Sequence, residues 1–311
     1  MNNTKIELGR IVLENPVVAS SGCVAHAYEL EGYTDIKKVG AFTMKTVTYD
    51  PRKGNKPPRV CEVSNGMLTS IGLQNPGIHE YVKEHLPQIK KACRPDQILI
   101  SIGGNDIDDY VATAEVLAGV LEPSEIAGIE VNGACPNVAH GGGVMSASPE
   151  KMYAVVKAVK DVVPFPVIGK MNTNFSVFCE VAQAIEEAKA DAVCLVSTPM
   201  GMHIDLRSRR PAIGNIKAPV SGPAILPQSV LKTWDVYETI SLPIIASGGI
   251  YTAEAALEMI MAGATAVGIG SAQFIDPNAS VQILEDMIQY CDANKISSFA
   301  ELVGCAHEKR A

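Results

Sequence analysis

The chain has 311 residues, of which 47% are hydrophobic and 19% are charged, and its net charge is -8 at neutral pH. A chain of this length buries most of its unfolded surface, so it needs no disulfide bonds for stability. The acidic balance argues against nucleic acid as the main partner, because phosphate binding requires a basic patch. The first residues carry no apolar signal core, and no run approaches the roughly 18 apolar residues of a membrane span. A cytoplasmic protein that does not enter membranes is therefore predicted.

Neither a metal site nor a disulfide framework is predicted. The chain has 8 cysteines and 6 histidines, but it contains no CxxC pair, and the histidines lack ligand spacing. Without a secretory signal, the thiols are expected to be reduced and mostly buried.

Short apolar runs alternate along the chain with amphipathic helical patterns. A hairpin over residues 6–13 is predicted to close the bottom of the domain. Predicted strands follow at residues 17–20, 41–45, 98–102, 128–131, 167–171, 192–196, 243–247 and 266–270. Helical patterns come after them at about 27–38, 78–92, 107–121, 149–162, 175–189, 227–240, 252–263 and 278–292. Eight apolar strands, each followed by a helix, predict an α/β fold with a single (β/α)8 barrel over residues 1–311. The alternative is a doubly wound open sheet, which lacks support because no GxGxxG motif follows the first strand.

Two connections are too long for ordinary barrel loops. They run from about residue 47 to 77 and from about residue 198 to 227. Long structured loops that follow strands belong on the C-terminal face of a barrel, where catalytic residues gather. Both connections are therefore expected to cover the site.

Polar residues stand where the predicted strands end. They are Ser20, Ser21, Lys45, Thr46, Ser101, Asn132, Cys135, Asn137, Lys170, Ser197, Thr198, Ser247 and Ser271. In a barrel these ends converge on one mouth. Two lysines and a cysteine at one mouth indicate charge stabilisation together with a proton-transfer group. The alternative for each lysine is a solvated charge just past a strand.

Two glycine turns follow the last two strands. They are Ala246-Ser-Gly-Gly-Ile250 and Gly268-Ile-Gly-Ser-Ala272. Glycines at such turns let main-chain amides approach a phosphate beside a helix N-terminus. Either turn alone is compatible with a simple tight turn, but the two together favour a phosphorylated cofactor or substrate. Gly222, late in the second long connection, could add another amide.

Taken together, these residues resemble the class 1 dihydroorotate dehydrogenases, most closely the class 1B catalytic subunit. The motifs that carry the resemblance are Ala19-Ser-Ser-Gly22, Lys45-Thr46, Asp50-Pro-Arg-Lys-Gly-Asn55, Ile71-Gly-Leu-Gln-Asn-Pro-Gly77, Asn132 with Cys135-Pro-Asn-Val138, Lys170, Gly201-Met-His-Ile-Asp205, Ser221-Gly-Pro-Ala-Ile225, Gly248-Gly249 and Gly270-Ser271. They are spread over essentially the whole chain, and each is weak alone.

The resemblance implies an FMN-dependent oxidoreductase of pyrimidine biosynthesis. Cys135 would remove a proton from C5 of dihydroorotate, hydride would pass from C6 to the flavin, and Lys45 would touch both molecules. Implied FMN-binding residues are Ser21, Lys45, Thr46, Ser101, Asn132, Lys170, Val196, Gly222, Gly248, Gly249, Gly270 and Ser271. Implied substrate-binding residues are Lys45, Thr69, Ser70, Ile71, Gly72, Leu73, Asn132, Asn137, Ser197 and Thr198. Implied partners are an electron-transfer subunit carrying FAD and a 2Fe–2S cluster, which passes electrons to NAD, and a second copy of the chain.

The chain departs from the family pattern on the substrate side. Thr69 and Ser197 stand where the family usually has ring-binding asparagines, and Ser101 replaces another asparagine. A hydroxyl is shorter than an amide and offers different hydrogen bonds. One alternative is therefore an FMN oxidoreductase acting on another dihydropyrimidine-like or unsaturated cyclic substrate. Others are a flavin-free lyase using Lys45 or Lys170 as a Schiff base, and a non-catalytic regulatory subunit.

Overall fold

The computed structural model describes residues 3–134 and 144–307. Its strands, in chain order, are β1 (Ile6–Leu8), β2 (Ile11–Leu13), β3 (Val17–Ala19), β4 (Ala41–Thr43), β5 (Val60–Val63), β6 (Gly66–Thr69), β7 (Ile98–Ile102), β8 (Gly128–Asn132), β9 (Val167–Asn172), β10 (Ala192–Val196), β11 (Met200–Gly201), β12 (Ile204–Asp205), β13 (Arg210–Pro211), β14 (Ala218–Ser221), β15 (Ile244–Ser247) and β16 (Ala266–Ile269).

Eight parallel strands close into a barrel in the order β3-β4-β7-β8-β9-β10-β15-β16. Their residues are almost all buried, as expected for strands covered on both faces. The predicted barrel is confirmed, and the alternative of an open doubly wound sheet is wrong. Because the strands are parallel, all their carboxyl ends meet at one mouth.

Helices surround the barrel. They are α1 (Ile78–Glu80), α2 (Leu86–Ala92), α3 (Ile107–Val120), α4 (Pro149–Val162), α5 (Phe178–Glu187), α6 (Leu226–Tyr237), α7 (Ala253–Met261) and α8 (Ala279–Ala293). A π-helical turn, Tyr81–His85, joins α1 to α2. It lies just before Pro87, which has no N–H to donate back to the preceding turn. Within the described ranges, no helix combines the length and the apolar character needed to cross a membrane.

The helix predicted over residues 27–38 is wrong. Two short 3₁₀ turns, Tyr28–Leu30 and Ile36–Lys38, stand there instead. Ala27 and Gly32 have φ angles of 65° and 87°, and an α-helix cannot continue through left-handed residues. The first strand of the barrel is therefore followed by a compact loop that leaves its end open to the mouth.

The opening hairpin closes the amino end of the barrel, as predicted. β1 and β2 pair antiparallel, with Ile6 opposite Leu13. Arg10 Nε donates to Asp191 Oδ1 at 2.7 Å, and Asp191 lies immediately before β10. Lys160 also contacts that carboxylate, at 3.0 Å. The amino end is thus sealed by charge pairing, and the mouth is left to the opposite end.

The two long connections meet in one small sheet. β5 and β6 come from the first connection, β11 and β14 from the second, and their order is β11-β14-β6-β5. Val220 pairs with Leu68, so strands separated by about 150 residues in sequence share a ladder. Leu68, Ile213 and Ala218 form a small core beneath this sheet. The prediction that both connections cover the C-terminal face is confirmed, because residues of both border the cavity at the mouth.

Candidate active site

A cavity of about 510 Å³ lies at the carboxyl ends of the barrel strands. Successive inward positions on one strand reach it, because side chains alternate between the two faces of a strand. Glu130 and Asn132 face it from β8, and Lys170 and Asn172 from β9. The small sheet of the two long connections forms the opposite side, where Val60 contributes apolar surface.

Most of the predicted site residues that the structure describes border this cavity. They are Ser21, Lys45, Thr46, Thr69, Ile71, Gly72, Leu73, Asn132, Lys170, Val196, Thr198, Gly248, Gly249, Gly270 and Ser271. Ser70, Ser101, Ser197 and Gly222 are described but do not line it. Cys135 and Asn137 lie outside the described residues, which stop at Ala134 and resume at Val144.

A network of hydroxyl groups holds one wall of the cavity. Thr46 Oγ1 lies 2.9 Å from Ser101 Oγ and accepts from Asn132 Nδ2 at 3.0 Å. Tyr110 Oη donates to the carbonyl of Asn132 at 2.7 Å. Ser101 is fully buried behind Thr46. It therefore acts on the cavity by positioning Thr46.

A buried ion pair lies in the floor of the cavity. Lys170 Nζ is 3.1 Å from Glu130 Oε1, and the two side chains are only 10% and 3% exposed. Burial has the largest effect on the pKa of Lys170 and lowers it, while the Glu130 carboxylate is the main group that raises it; the net shift of the pKa is upward. The floor therefore carries a fixed positive charge on Lys170.

Two further cysteines border the cavity near this ion pair. Burial raises the pKa of Cys23 to about 11, although Lys170 and Lys45 act in the opposite direction. Burial, followed by the nearby Glu130 carboxylate, also raises the pKa of Cys194. Both are therefore neutral thiols at physiological pH and poor candidates for a base or nucleophile.

The hydroxyl groups of Ser70 and Ser197 are engaged away from the cavity. Ser70 Oγ accepts from Asn55 Nδ2 at 2.9 Å and from Asn215 Nδ2 at 3.0 Å. Ser197 Oγ lies 2.8 Å from Thr173 Oγ1, and Ser197 is only 1% exposed. These serines support the loops around the mouth, whereas Thr69 does border the cavity.

The glycine turns form another part of the wall. Gly248 and Gly249 have φ angles of 131° and 80°. A Cβ on Gly249 would lie 2.5 Å from Leu226 N at the start of α6, so a side chain cannot be accommodated there. Across the turn, Tyr251 Oη donates to Ser271 Oγ at 2.8 Å. The main chain itself therefore faces the cavity beside the N-terminus of α7.

Sequence reasoning missed several residues at the cavity, among them Cys23, Glu130, Asn172, Cys194 and Tyr251. A signal for Glu130 was available, because a carboxylate between Ile129 and Val131 interrupts an apolar strand. Asn172 was also recognisable, since it stands two residues beyond Lys170 and so shares its face.

Comparison with known proteins identifies close relatives of this chain. The family model for dihydroorotate dehydrogenase matches residues 4–290. The chain is 40% identical over 299 residues to dihydroorotate dehydrogenase B (NAD(+)), catalytic subunit, of Geobacter metallireducens, covering 96% of each chain. It is 40% identical over 304 residues to the protein of that name from Desulforudis audaxviator, covering 98% of this chain and 97% of the relative. A Listeria monocytogenes protein of the same name is 38% identical over 302 residues, covering 97% of this chain and 98% of the relative.

Proposed function

Because this chain belongs to the dihydroorotate dehydrogenase family of oxidoreductases, we propose that it oxidises dihydroorotate to orotate in pyrimidine biosynthesis, with FMN as its cofactor. The observation that carries the proposal is one cavity bordered by Lys45, by the charged Lys170 and by the glycine turns after β15 and β16. These are the groups that a phosphorylated, redox-active ring system requires.

The residues present fit such a cofactor. The turn at Gly248 and Gly249 excludes side chains and borders the cavity with its main chain. With Gly270 and Ser271 it would hold a phosphate group. Lys45, Thr46, Asn132 and Lys170 would hold the ring system. When bound, the flavin supplies the acceptor for the hydride that leaves the substrate.

The chain itself would handle the proton. Cys135 follows Ala134, which borders the cavity, and we assign it the C5 proton of dihydroorotate. A thiol becomes an effective base when nearby cations lower its pKa. Lys45 and Lys170 are the cations at this mouth, and Glu130 keeps Lys170 charged. Lys170 on β9 would thus stabilise charge from the cavity floor, and Cys135, in the loop after β8, would remove the proton.

The proposal is tested with purified protein. We expect a flavin absorption spectrum that changes on titration with orotate, and turnover of dihydroorotate. Cys135→Ser should lower turnover by about 10²–10⁴-fold, as expected for loss of a catalytic base, while orotate binding is kept. Colourless protein would contradict the flavin assignment and favour the lyase alternative. Normal turnover in Cys135→Ser would remove Cys135 from the mechanism.

A second candidate function keeps the cofactor but changes the substrate. The Ser197 hydroxyl is paired with Thr173, and Thr69 offers the cavity a hydroxyl in place of an amide. Sites built on hydrogen bonds discriminate strongly when a partner is missing. Titration with uracil and thymine beside orotate decides between a neutral pyrimidine and an orotate-like ligand.

We also propose that the chain works with partners. The relatives are named catalytic subunits of an NAD(+) enzyme, a name that implies further subunits. An electron-transfer subunit carrying FAD and a 2Fe–2S cluster would pass electrons to NAD, and two copies of the catalytic chain would form the core. Purification of the tagged chain from its own cells should yield a second, cluster-containing polypeptide.

A further inference from the structure

The side chain of Asn172 is buried at the cavity with a free hydrogen-bond donor. Asn172 is 6% exposed and borders the cavity at the carboxyl end of β9. Its Oδ1 accepts from the main-chain N–H of Asn174 at 2.9 Å. Among residues 3–134 and 144–307, no atom accepts a hydrogen bond from its Nδ2. The donor faces the cavity with no partner in that part of the chain, and a ligand that filled the cavity would cover it, so this amide is placed to be satisfied by a ligand.

The orientation of this amide is set by the chain. Because the Asn174 N–H donates to Oδ1, the acceptor side of the amide is occupied and the donor side is left for the cavity. The main-chain N–H of Asn172 donates to Ser146 Oγ at 3.1 Å, which holds the strand end in place. The Nδ2–H group is therefore pre-oriented, and it can recognise an oxygen atom but cannot serve as an acceptor.

The position of Asn172 suits contact with a ring above the cavity floor. It stands two residues beyond Lys170, on the same face of β9, and Lys170 pairs in register with Asn132 on β8. Asn172 thus lies one layer closer to the mouth than the Lys170–Glu130 pair. Its strand neighbour across the ladder is Val196, the residue before Ser197.

The neighbouring hydroxyl groups do not compete for this role. Thr173 and Ser197 are buried and pair with each other. At this side of the mouth, Asn172 is therefore the described amide that faces the cavity, and the Ser197 hydroxyl is turned away from it.

We propose that Asn172 is a specificity-determining residue that donates a hydrogen bond from Nδ2 to a carbonyl or carboxylate oxygen of the cyclic substrate. The inference rests on the proposed function in that it takes an oxidised pyrimidine as the ligand. A substrate without an oxygen acceptor at this place would cover the donor without pairing it and would be rejected.

The test uses the purified holoprotein, and calorimetry measures the dissociation constants of orotate and uracil. Asn172→Asp keeps an acceptor for the Asn174 N–H but removes the donor, and Asn172→Ala removes both. Asn294→Ala, at an exposed amide after α8, is the matched control. We expect both Asn172 variants to bind orotate at least about tenfold more weakly, with a raised KM for dihydroorotate. The control should match wild type. Flavin content and circular dichroism establish that the variants are folded.

The outcomes separate this inference from the proposed function. If the Asn172 variants bind both orotate and uracil more weakly, the contact is to a ring carbonyl. If they bind only orotate more weakly, the contact is to the carboxylate. Folded Asn172→Asp that binds orotate as wild type does would overturn the inference and leave the proposed function standing. Wild-type protein that neither binds orotate nor oxidises dihydroorotate would overturn the proposed function itself.

Discussion

The charged pair in the cavity floor is unusual at the scale of single residues, because taking two charges out of water costs several kcal/mol for each ion. Glu130 and Lys170 are both buried and are 3.1 Å apart. A hydrophobic pair would pack a barrel interior at lower cost. The pair is therefore best explained by the site, where Glu130 keeps a positive charge at the cavity floor.

Glu130→Gln should destabilise the protein and weaken flavin binding. In this variant Lys170 stays buried but loses its counter-charge. Its pKa should fall, because burial disfavours the charged amine and the carboxylate no longer opposes that effect. Breaking a buried pair in this way costs roughly 3–5 kcal/mol. Urea unfolding measures this loss, and the flavin-to-protein absorbance ratio measures cofactor retention. Glu125→Gln removes a surface partner of Lys90. It should change the stability and the flavin content much less than Glu130→Gln does. Equal effects at the two positions would contradict the assignment.

At the scale of elements, the connections decide what borders the mouth. The strand-to-helix turn at Gly248 and Gly249 is packed so closely against the start of α6 that it admits no side chain. The first strand is followed by 3₁₀ turns in place of a helix. Of the two, the glycine turn brings main chain to the cavity.

Gly249→Ala should lower cofactor retention. The residue has a φ of 80°, and a Cβ would meet Leu226 N at 2.5 Å, so the turn must shift from its position beside the cavity. Gel filtration followed by the flavin-to-protein absorbance ratio measures the effect. Gly119→Ala is the matched control: it lies within α3, and its Cβ would meet open space. There, alanine should stabilise the protein by about 0.5–1 kcal/mol and leave flavin content unchanged. Full retention in Gly249→Ala would contradict the role of this turn.

At the scale of the whole molecule, a buried histidine links the loop after β3 to the helical segment that follows β6. The His26 ring packs against His85 and Tyr81, with ring centres 4.4 Å and 5.3 Å apart. Burial lowers the pKa of His26 to about 4, and nearby His85 and Lys45 add to the effect. The fold therefore requires His26 to be neutral.

Stability should fall as the pH drops from about 6.5 to about 4. In that range the unfolded chain takes up a proton at His26 that the folded protein does not, so the free energy of unfolding rises with pH and is fully restored above about 6.5. The contribution is at most about 3.5 kcal/mol, from a pKa difference of roughly 2.5. Urea unfolding at pH 4.5 and 7 measures it. His26→Gln should flatten the dependence, and His79→Gln, at an exposed position, should retain it. An unchanged slope in His26→Gln would contradict this account.

Part of the site could be predicted from sequence because strand ends are local features. Lys45, Asn132 and Lys170 each terminate an apolar run, and a barrel brings such residues together whatever their separation in the chain. The direction in which the Ser70 and Ser197 hydroxyl groups point could not be predicted. It depends on hydrogen-bond partners, such as Asn215 and Thr173, that lie elsewhere in the sequence. The roles of Cys135 and Asn137 stay predictions, since both lie outside the described residues.

The sequence by itself determined the barrel, because eight apolar runs alternating with helical patterns are a periodicity that the chain carries locally. It also determined which ends of the strands would hold polar groups. Tertiary structure alone decided the Glu130–Lys170 pair, the sheet shared by the two long connections, and the free donor of Asn172. Each of these depends on contacts between distant segments, which determine the polar groups that are paired and those that are left without a partner. Residues with left-handed backbone angles between 25 and 32 also prevent the helix that the apolar pattern predicted there.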